Sequence, residues 1–348
     1  EQIFIFVYYL NEIRNQMVRL QDIADEFNIS VSTVSRILNG KGRVADELRA
    51  EVKAYAEEVC YTPNLIAKSL KLKESRSIGL VVPDITNVYY GIIFDVIEKF
   101  ARNKGYTTIL FQCDNEKSGK DEYASQIQNS YVDGMIVATR GSKIWSTIEP
   151  SVLDKIVFID NKPLVNDRIV DFIGCDNEDS AYRLTKLMIK EGYEKIVTVT
   201  GPREESSARE RVAGYIKAMN EHNLKIDDNF IVETNFMYED AWDKIPVWFN
   251  QDEIPSAILA HNNVTAYAAL RLANKYGIHV PEDMGIACFD HIDIYGFMEP
   301  KFTNMMQPAK EMAGLAAEIL INKINSNLNS YQPETVTLKH EFIVGETI

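Results

Sequence analysis

The sequence predicts an α/β protein with a small helical unit at its N-terminus, followed by two doubly wound subdomains built on parallel sheets. Three observations predict this architecture. Residues 17–63 contain three short segments in which apolar side chains recur at helical spacing. From Ser77 onwards, apolar runs of four or five residues alternate with helices, as in parallel sheets that are buried on both faces. Glycines at Gly105, Gly192 and Gly277 end helices before the next strand or loop.

Length, composition and charge restrict the class of protein. With 348 residues, at roughly 150 residues per domain, the chain is long enough for two or three compact units. Hydrophobic residues make up 46% and charged residues 25%, which excludes collagen-like, coiled-coil and wholly disordered proteins. The formal net charge of −14 should repel phosphate backbones and acidic membranes. Any contact with nucleic acid must therefore be local.

The cysteines and the N-terminal segment indicate a cytoplasmic protein without a metal site, cofactor or membrane segment. Cys60, Cys113, Cys175 and Cys288 are far apart and form no C-x-x-C pair, which argues against a disulfide framework and a zinc site. The apolar run at residues 3–10 is too short to span a membrane and lacks the basic region of a signal peptide. We interpret residues 1–16 as an upstream extension, because regular patterning starts at Met17.

The three N-terminal helices form a predicted helix-turn-helix unit over residues 17–63, with the motif itself at about 20–39. The first helix has apolar residues on one face, residues 28–30 break the pattern, and the second helix extends to Asn39 with Gly40 behind it. The third helix begins at about Asp46 and stops before Pro63, because the residue preceding proline disfavours helix. Residues 27–45 contain three basic residues and no acid.

The second helix has the composition of a DNA-recognition helix, which presents short polar or basic side chains to base edges. Val34, Ile37 and Leu38 supply its packing face, and Arg36 on the outer face could make a bidentate contact with guanine. A small amphipathic bundle with a solvated polar face would show the same pattern. The residues predicted to contact DNA in this unit are Leu20, Val31, Ser32, Thr33, Ser35, Arg36 and Asn39.

The remaining chain, residues 77–348, predicts two subdomains with a ligand cleft between them at the carboxyl ends of their strands. The expected boundaries are 77–175 plus 308–340 for the N-subdomain and 176–305 for the C-subdomain. No nucleophile elbow, phosphate loop, dinucleotide fingerprint or metalloprotease motif occurs, and none of the five histidines has a partner at motif spacing. We therefore expect no catalytic residues and no enzyme activity.

Taken together, these segments give a sequence that resembles the lactose/galactose/purine repressor (LacI/GalR) family of bacterial transcription regulators. The resemblance is carried by residues 18–24 (VRLQDIA), 29–39 (ISVSTVSRILN), 61–70 (YTPNLIAKSL) and 78–87 (IGLVVPDITN). It continues through 211–215 (RVAGY) and Gln307-Pro308, and so covers nearly everything after Met17. It implies an effector domain with the periplasmic-binding-protein fold in the second region.

The resemblance also implies a hinge helix at residues 64–76 that folds on operator DNA. Leu70 would wedge into a central minor-groove step with Ala67 beside it, and Lys71 would neutralise phosphates. A buried linker leucine and a merely solvated basic linker are the alternative interpretations.

For the effector cleft, the resemblance implies a set of ligand-binding residues. Tyr90 and Phe236 would cover the ligand's face, and the alternative for both is subdomain core. Asp160, Arg211, Asn262 and Asp290 match polar positions that bind ligand hydroxyls. The alternatives are strand-end capping for the aspartates and a structural ion pair for Arg211.

Three residues in the second region depart from the family pattern or add charge near the expected cleft. Arg140, His261 and His291 could bear positive charge there, which suggests an acidic or phosphorylated sugar as effector.

The resulting expectation is a cytoplasmic, homodimeric repressor of a carbohydrate-utilisation operon. It would bind a pseudo-palindromic double-stranded operator under the control of a sugar-like effector. The alternatives are control by a phosphocarrier protein, a sugar-binding transport or sensing module without DNA function, and an enzyme on a similar scaffold.

Overall fold

The computed structural model describes residues 18–61, 74–112, 132–138, 142–166, 168–249, 254–290, 300–326 and 331–348. The chain forms two compact units, Glu1–Lys73 and Glu74–Ile348.

The first unit contains the three predicted helices: α1 (Leu20–Glu26), α2 (Val31–Leu38) and α3 (Asp46–Glu58). Asn28 adopts a left-handed φ of 49° in the turn after α1, a conformation that asparagine tolerates better than most residues. Ser30 caps α2, because its Oγ accepts a hydrogen bond from the Thr33 backbone N–H at 3.2 Å. The core of this unit consists of Ile23, Ala24, Val34, Ile37, Val52 and Ala56.

The described residues of the second unit form two six-stranded sheets, whose strands alternate with helices along the chain. Its strands are β1 (Ser77–Val82), β2 (Thr107–Gln112), β3 (Gly134–Val137), β4 (Ile156–Ile159), β5 (Asp171–Cys175), β6 (Ile196–Thr200), β7 (Ile231–Glu233), β8 (Ala257–Ala260), β9 (Gly285–Phe289), β10 (Thr303–Met306), β11 (Thr335–Leu338) and β12 (Glu341–Ile343). Its described α-helices are α4 (Val88–Asn103), α5 (Pro150–Leu153), α6 (Asn177–Lys190), α7 (Ser206–Glu221), α8 (Tyr238–Lys244), α9 (Pro246–Phe249), α10 (Asn263–Lys275) and α11 (Ala309–Asn325).

The first sheet has the order β11-β5-β4-β3-β1-β2, and all of its strand pairs are parallel. Helices α4 and α11 bury their apolar faces against one side of it, where Ile93, Ile97 and Leu320 join the strand residues Leu80 and Ile136 in one core. A second core on the other side includes Trp145 and Phe158. Layers on both faces explain why these strands have continuous apolar runs.

The second sheet has the order β12-β10-β9-β8-β6-β7. Its pairs are parallel except for β12, which runs antiparallel to β10. Strand β12 is thus an antiparallel edge strand on an otherwise parallel sheet. The predicted doubly wound α/β fold class is confirmed. The strands that the apolar runs did not predict are β5, β7, β10, β11 and β12. Most of them are short and partly exposed or contain polar residues, so they lack a long apolar run.

Within the described residues, three short connections carry the chain between the two sheets. The first is at Asp176, between β5 and α6, and the second is at Gln307-Pro308, between β10 and α11. The third is at Lys339-His340, between β11 of the first sheet and β12 of the second. Strand β12 thus extends the second subdomain beyond the expected range of 176–305.

Among the described helices, none combines the length and apolar character that a membrane crossing requires. In the part of the chain that the structure describes, no group of three His, Cys, Asp or Glu side chains is placed to hold a metal ion.

Candidate functional site

The outer face of α2 and its C-terminal cap carry three of the side chains predicted to contact DNA. Ser32, Arg36 and Asn39 are exposed, whereas Val34 and Ile37 are buried in the core. The Asn39 side chain donates to the Ser35 carbonyl at 2.6 Å, which holds its amide against the end of the helix. The solvent side of α2 is therefore polar and basic.

Leu20 and Val31 are apolar members of the predicted DNA-contacting set. Both are half-buried and pack against the core of the first unit. Thr33 and Ser35 are also half-buried, and the Thr33 hydroxyl lies 2.8 Å from the Ser30 hydroxyl. Ala67, Leu70 and Lys71, which the resemblance implies in the hinge, lie outside the described residues.

The second unit contains a polar cleft between its two sheets, lined by residues from both subdomains. Six of the seven predicted effector residues line it: Tyr90, Asp160, Arg211, Phe236, Asn262 and Asp290. The seventh, Arg140, lies outside the described residues. Asp160 follows β4 of the first sheet directly, and Asp290 follows β9 of the second. The cleft thus receives side chains from the carboxyl ends of strands in both sheets.

A buried ion pair lies in the cleft wall. Arg211 Nη2 is 3.6 Å from Asp290 Oδ2, and both side chains are at least nine-tenths buried. Gln307 holds the carboxylate of Asp290 from the other side, since its backbone N–H and its Nε2 each donate to one carboxylate oxygen at 2.9 Å. Arg211 Nε donates to Asn177 Oδ1 at 2.9 Å, and Nη1 donates to the His261 carbonyl. Arg211 thus forms a buried ion pair and also lines the cleft.

Asp160 is a second buried carboxylate in the cleft and is 8% exposed. Burial raises its pKa to about 6, the Arg211 guanidinium opposes this shift, and the negative charge of Asp290 adds to it. Asn161 Nδ2 lies 3.2 Å from Asp160 Oδ2 and can donate to it. The site therefore holds an acid that is incompletely stabilised in its charged form.

Three of the lining residues have left-handed backbone conformations: Asp160 (φ 69°), Phe236 (φ 63°) and Asp290 (φ 59°). For a bulky residue such as Phe236 this conformation is a genuine outlier, and backbone strain of this kind concentrates at functional sites. A Cβ atom at Gly201 would overlap the Phe236 ring, so only glycine leaves room for that ring. Asn262 Nδ2 donates to the Phe236 carbonyl at 3.1 Å and fixes the same turn.

His261 does not supply positive charge to the cleft. Its ring is fully buried, and its two nitrogens lie 2.9 Å from the hydroxyls of Thr198 and Thr200. Burial and the neighbouring Arg211 charge lower its pKa well below the usual value, so the ring is neutral. The interpretation of His261 as a cationic cleft group is wrong because the ring lies in the interior behind Arg211. His291 lies outside the described residues.

Direct hydrogen bonds join the two subdomains across the cleft. The side-chain amides of Asn87 and Asn263 lie 3.3–3.4 Å apart. Asn161 Oδ1 accepts from the Ser207 backbone N–H at 3.1 Å and from its hydroxyl at 2.9 Å. The structure is therefore that of a cleft whose walls are in contact.

Several polar residues that line the cleft were not predicted from the sequence: Asn87, Asn161, Glu205, Ser207, Asn263 and Gln307. Asn161 follows Asp160 directly after an apolar run, so its position at a strand end was an available signal. Gln307 follows β10, a strand that the apolar runs did not predict. No local pattern distinguishes Glu205 or Ser207, which reach the cleft because α7 begins there.

A helix-turn-helix unit and a two-sheet unit with a polar cleft together define a ligand-responsive DNA-binding regulator. Residues 19–64 match the model of bacterial regulatory proteins of the lacI family. Residues 75–344 match the model of periplasmic binding proteins and the sugar-binding domain of the LacI family. The protein belongs to the LacI family, and it is a DNA-binding transcription regulator.

Individual relatives agree with this assignment. The chain is 27% identical over 338 residues to the HTH-type transcriptional repressor PurR of Photobacterium profundum, covering 95% of this chain and 99% of that protein. It is 27% identical over 334 residues to the ribose operon repressor of Haemophilus influenzae, covering 95% and 99%. The fold is similar to that of the Lac repressor dimer bound to operator and the anti-inducer ONPF. This comparison has a TM-score of 0.81 and 21% identity and covers 95% of this chain and 99% of that chain. Both named relatives are repressors.

Proposed function

We propose that this regulator is a cytoplasmic, homodimeric repressor of a carbohydrate-utilisation operon, controlled by a small, neutral, polyhydroxylated effector. The effector binds in the cleft of the second unit, and α2 binds double-stranded operator DNA. The first units of two protomers, related by a twofold axis, match a pseudo-palindromic site. The protein has no catalytic role.

The observation that carries the effector assignment is the convergence of Arg211, Asp160 and Asp290 with Tyr90 and Phe236 in one cleft. Planar carboxylate, guanidinium and amide groups match sugar hydroxyls, because each hydroxyl both donates and accepts a hydrogen bond. The aromatic rings provide apolar surface for the faces of a sugar ring. The name of the ribose operon repressor, similar over nearly the whole chain, supports a carbohydrate effector.

The charge of the lining favours a neutral effector over an anionic one. The described part of the lining contains Asp84, Asp160, Glu205 and Asp290, and Arg211 is its basic residue. The charge of Arg211 is already shared with Asp290. A sugar acid or phosphate would bring further negative charge beside buried carboxylates, which is unfavourable at short distance.

The effector assignment is tested by thermal unfolding in the presence of neutral sugars, sugar acids, sugar phosphates and nucleobases. A ligand at about 100 times its dissociation constant adds about 2.7 kcal/mol to the free energy of unfolding, which is a measurable shift in Tm. We expect a neutral sugar to raise the Tm of the wild type and of Arg209→Ala, but not that of Arg211→Ala. Arg209 is the matched control, because it is exposed on the same helix and its side chain donates to nearby backbone carbonyls.

Other outcomes of this panel contradict the proposal. A response to sugar phosphates alone would show that the charge argument is wrong. No response from any class would refute a small-molecule effector of this kind and favour control by a protein partner.

The DNA assignment is tested with a duplex that the wild-type protein selects from a random-sequence library. Arg36→Ala should weaken binding to the selected duplex by roughly 1–3 kcal/mol and relax base choice, because Arg36 is exposed on the outer face of α2. Lys41→Ala, in the exposed loop after α2, should weaken binding to selected and random duplexes alike. Equal losses on both duplexes for Arg36→Ala would show that Arg36 does not read bases.

A further inference from the structure

Arg211 is linked through one neighbour to each of the three connections between the two subdomains. At the first connection, its Nε donates to Oδ1 of Asn177 at 2.9 Å, and Asn177 is the first residue of α6. At the second, its partner Asp290 accepts two hydrogen bonds of 2.9 Å from Gln307. Any displacement of the guanidinium therefore disturbs both connections at once.

The link to the third connection passes through an aromatic ring. The guanidinium carbon of Arg211 lies 4.1 Å from the centre of the Phe289 ring, a cation–π distance. The His340 ring meets Phe289 edge-on, with ring centres 5.4 Å apart and an interplanar angle of 81°. His340 lies between β11 of the first sheet and β12 of the second. Arg211, Phe289 and His340 thus form a continuous packed row from the cleft to this connection.

Burial and a contact with Ser180 hold the His340 ring in this position. Its side chain is 7% exposed, and its Nδ1 lies 2.9 Å from the Ser180 hydroxyl on α6. Its Nε2 is buried and has no hydrogen-bond partner among the described residues. Burial, with the charges of Arg211 and Arg183, lowers its pKa to about 3, so the ring is neutral at physiological pH. A neutral ring without a second hydrogen bond is held mainly by packing, and can follow a movement of Phe289.

We propose that Asn177 and His340 are positioning residues that transmit the state of Arg211 in the effector cleft to the DNA affinity of the first unit. Neither residue lines the cleft. An effector that binds Arg211 or Asp290 replaces some of the contacts that the Arg211 guanidinium makes with Asn177 and Phe289. The connections at Asn177 and His340 shift in response. This inference rests on the proposed function, since it assumes that cleft and operator affinity are coupled.

The test needs no identified effector, because a change in Arg211 itself imitates disturbance of the cleft. Arg211→Lys keeps the charge but loses the planar fork that bonds Asn177 and stacks on Phe289. The probe is the duplex that the wild type selects from a random library, and the measurement is its Kd. We expect Arg211→Lys to change this Kd at least about fivefold, the low end of allosteric coupling.

The same change is then measured in variants of His340. In the His340→Gln background, which keeps a hydrogen-bonding group for Ser180 but removes the ring, Arg211→Lys should change the Kd less than about twofold. In the His340→Phe background, which keeps the ring edge, the full effect should remain. His222→Gln is the matched control, since His222 is exposed at the other end of α7, and it should leave the effect undiminished. If Arg211→Lys fails to fold, Asp290→Asn replaces it, because it disturbs the same ion pair. The Asn177→Ala background gives a second test, in which the effect on Kd should also be reduced.

Each outcome decides the inference. If His340 had only a structural role, His340→Gln would lower Tm. Its effect on Kd would then be independent of Arg211→Lys, and the two fold-changes would multiply in the double variant. Independent effects in every background, or no effect of Arg211→Lys on the wild type, would overturn the inference while leaving the proposed function intact. Failure of the wild type to select any duplex would overturn the proposed function and the inference with it.

Discussion

The substitution Asp160→Asn should stabilise the protein at neutral pH, although Asp160 lies in the candidate effector site. Asparagine has nearly the same shape as aspartate and tolerates the left-handed backbone at this position. The change therefore removes a charge and little else. Stabilisation is expected because the buried carboxylate is held less favourably in its charged form than it would be in water.

The magnitude follows from the pKa of Asp160, which burial raises from 3.8 to about 6. At about 1.36 kcal/mol per pKa unit, the charged form costs about 3 kcal/mol of stability above pH 6. Because the folded-state pKa is the higher one, the folded state binds more protons between pH 4 and 6. Stability from this group is therefore present below pH 4 and is lost as pH rises to 6. The hydrogen bond from Asn161 to a neutral amide oxygen is weaker than the bond to a carboxylate, which offsets about 1 kcal/mol and leaves a gain of about 2 kcal/mol at pH 7.

The assay is urea unfolding of the wild type and Asp160→Asn from pH 4 to pH 8. The difference in unfolding free energy should be near zero at pH 4 and grow to its full value by pH 7. Asp95→Asn is the control, because Asp95 is exposed and paired only with Lys99 at 2.7 Å among the described residues, so its effect should stay within about 0.5 kcal/mol. A variant that is less stable than the wild type at pH 7, or a difference that does not change with pH, would refute the reasoning.

Three further substitutions test other parts of the structure. Gly201→Ala should displace the Phe236 ring, because the added Cβ would overlap it, and should abolish the Tm shift given by the effector. An unchanged shift would show that the ring is not part of the site. Lys323→Ala should cost about 3–5 kcal/mol in urea unfolding, because it leaves the fully buried Asp171, 2.6 Å away, without its cation. Lys310→Ala on the same helix is exposed and should change the unfolding free energy little, and equal effects of the two lysines would contradict the assignment. Ser30→Ala should destabilise the first unit by about 1 kcal/mol, because α2 loses its cap, and hydrogen exchange of the α2 amides measures this loss. Unchanged protection of these amides would show that the cap contributes nothing.

The family assignment and most of the fold could be predicted from the sequence, because they depend on local patterns. The three helices of the first unit have a period of about 3.6 residues with turn residues between them. Seven strands have apolar runs because both faces of each sheet are covered. Strands β11 and β12 have no such run, since they lie at sheet edges with alternating or largely exposed residues, and the sequence did not predict them.

The candidate site was predicted only in part, and the reason differs between residues. Asp160 and Asp290 follow apolar runs directly, so their place at strand ends was visible in the sequence. Glu205 and Ser207 precede or begin a helix without any distinguishing pattern and enter the cleft only through the packing of α7. The charge of His261 was predicted wrongly, because burial depends on what surrounds a residue in space.

The sequence by itself determined the class of this protein: a helix-turn-helix unit, an α/β unit with a cleft, and the side-chain chemistry available at strand ends. Tertiary structure alone decided which of those side chains meet, which are charged, and how they connect to the rest of the chain. Asp171 pairs with Lys323 from 152 positions away, and Phe289 meets His340 across 51 positions. Hydrophobic periodicity is a local property of the chain, whereas pKa shifts and packed networks arise from residues that only folding brings into contact.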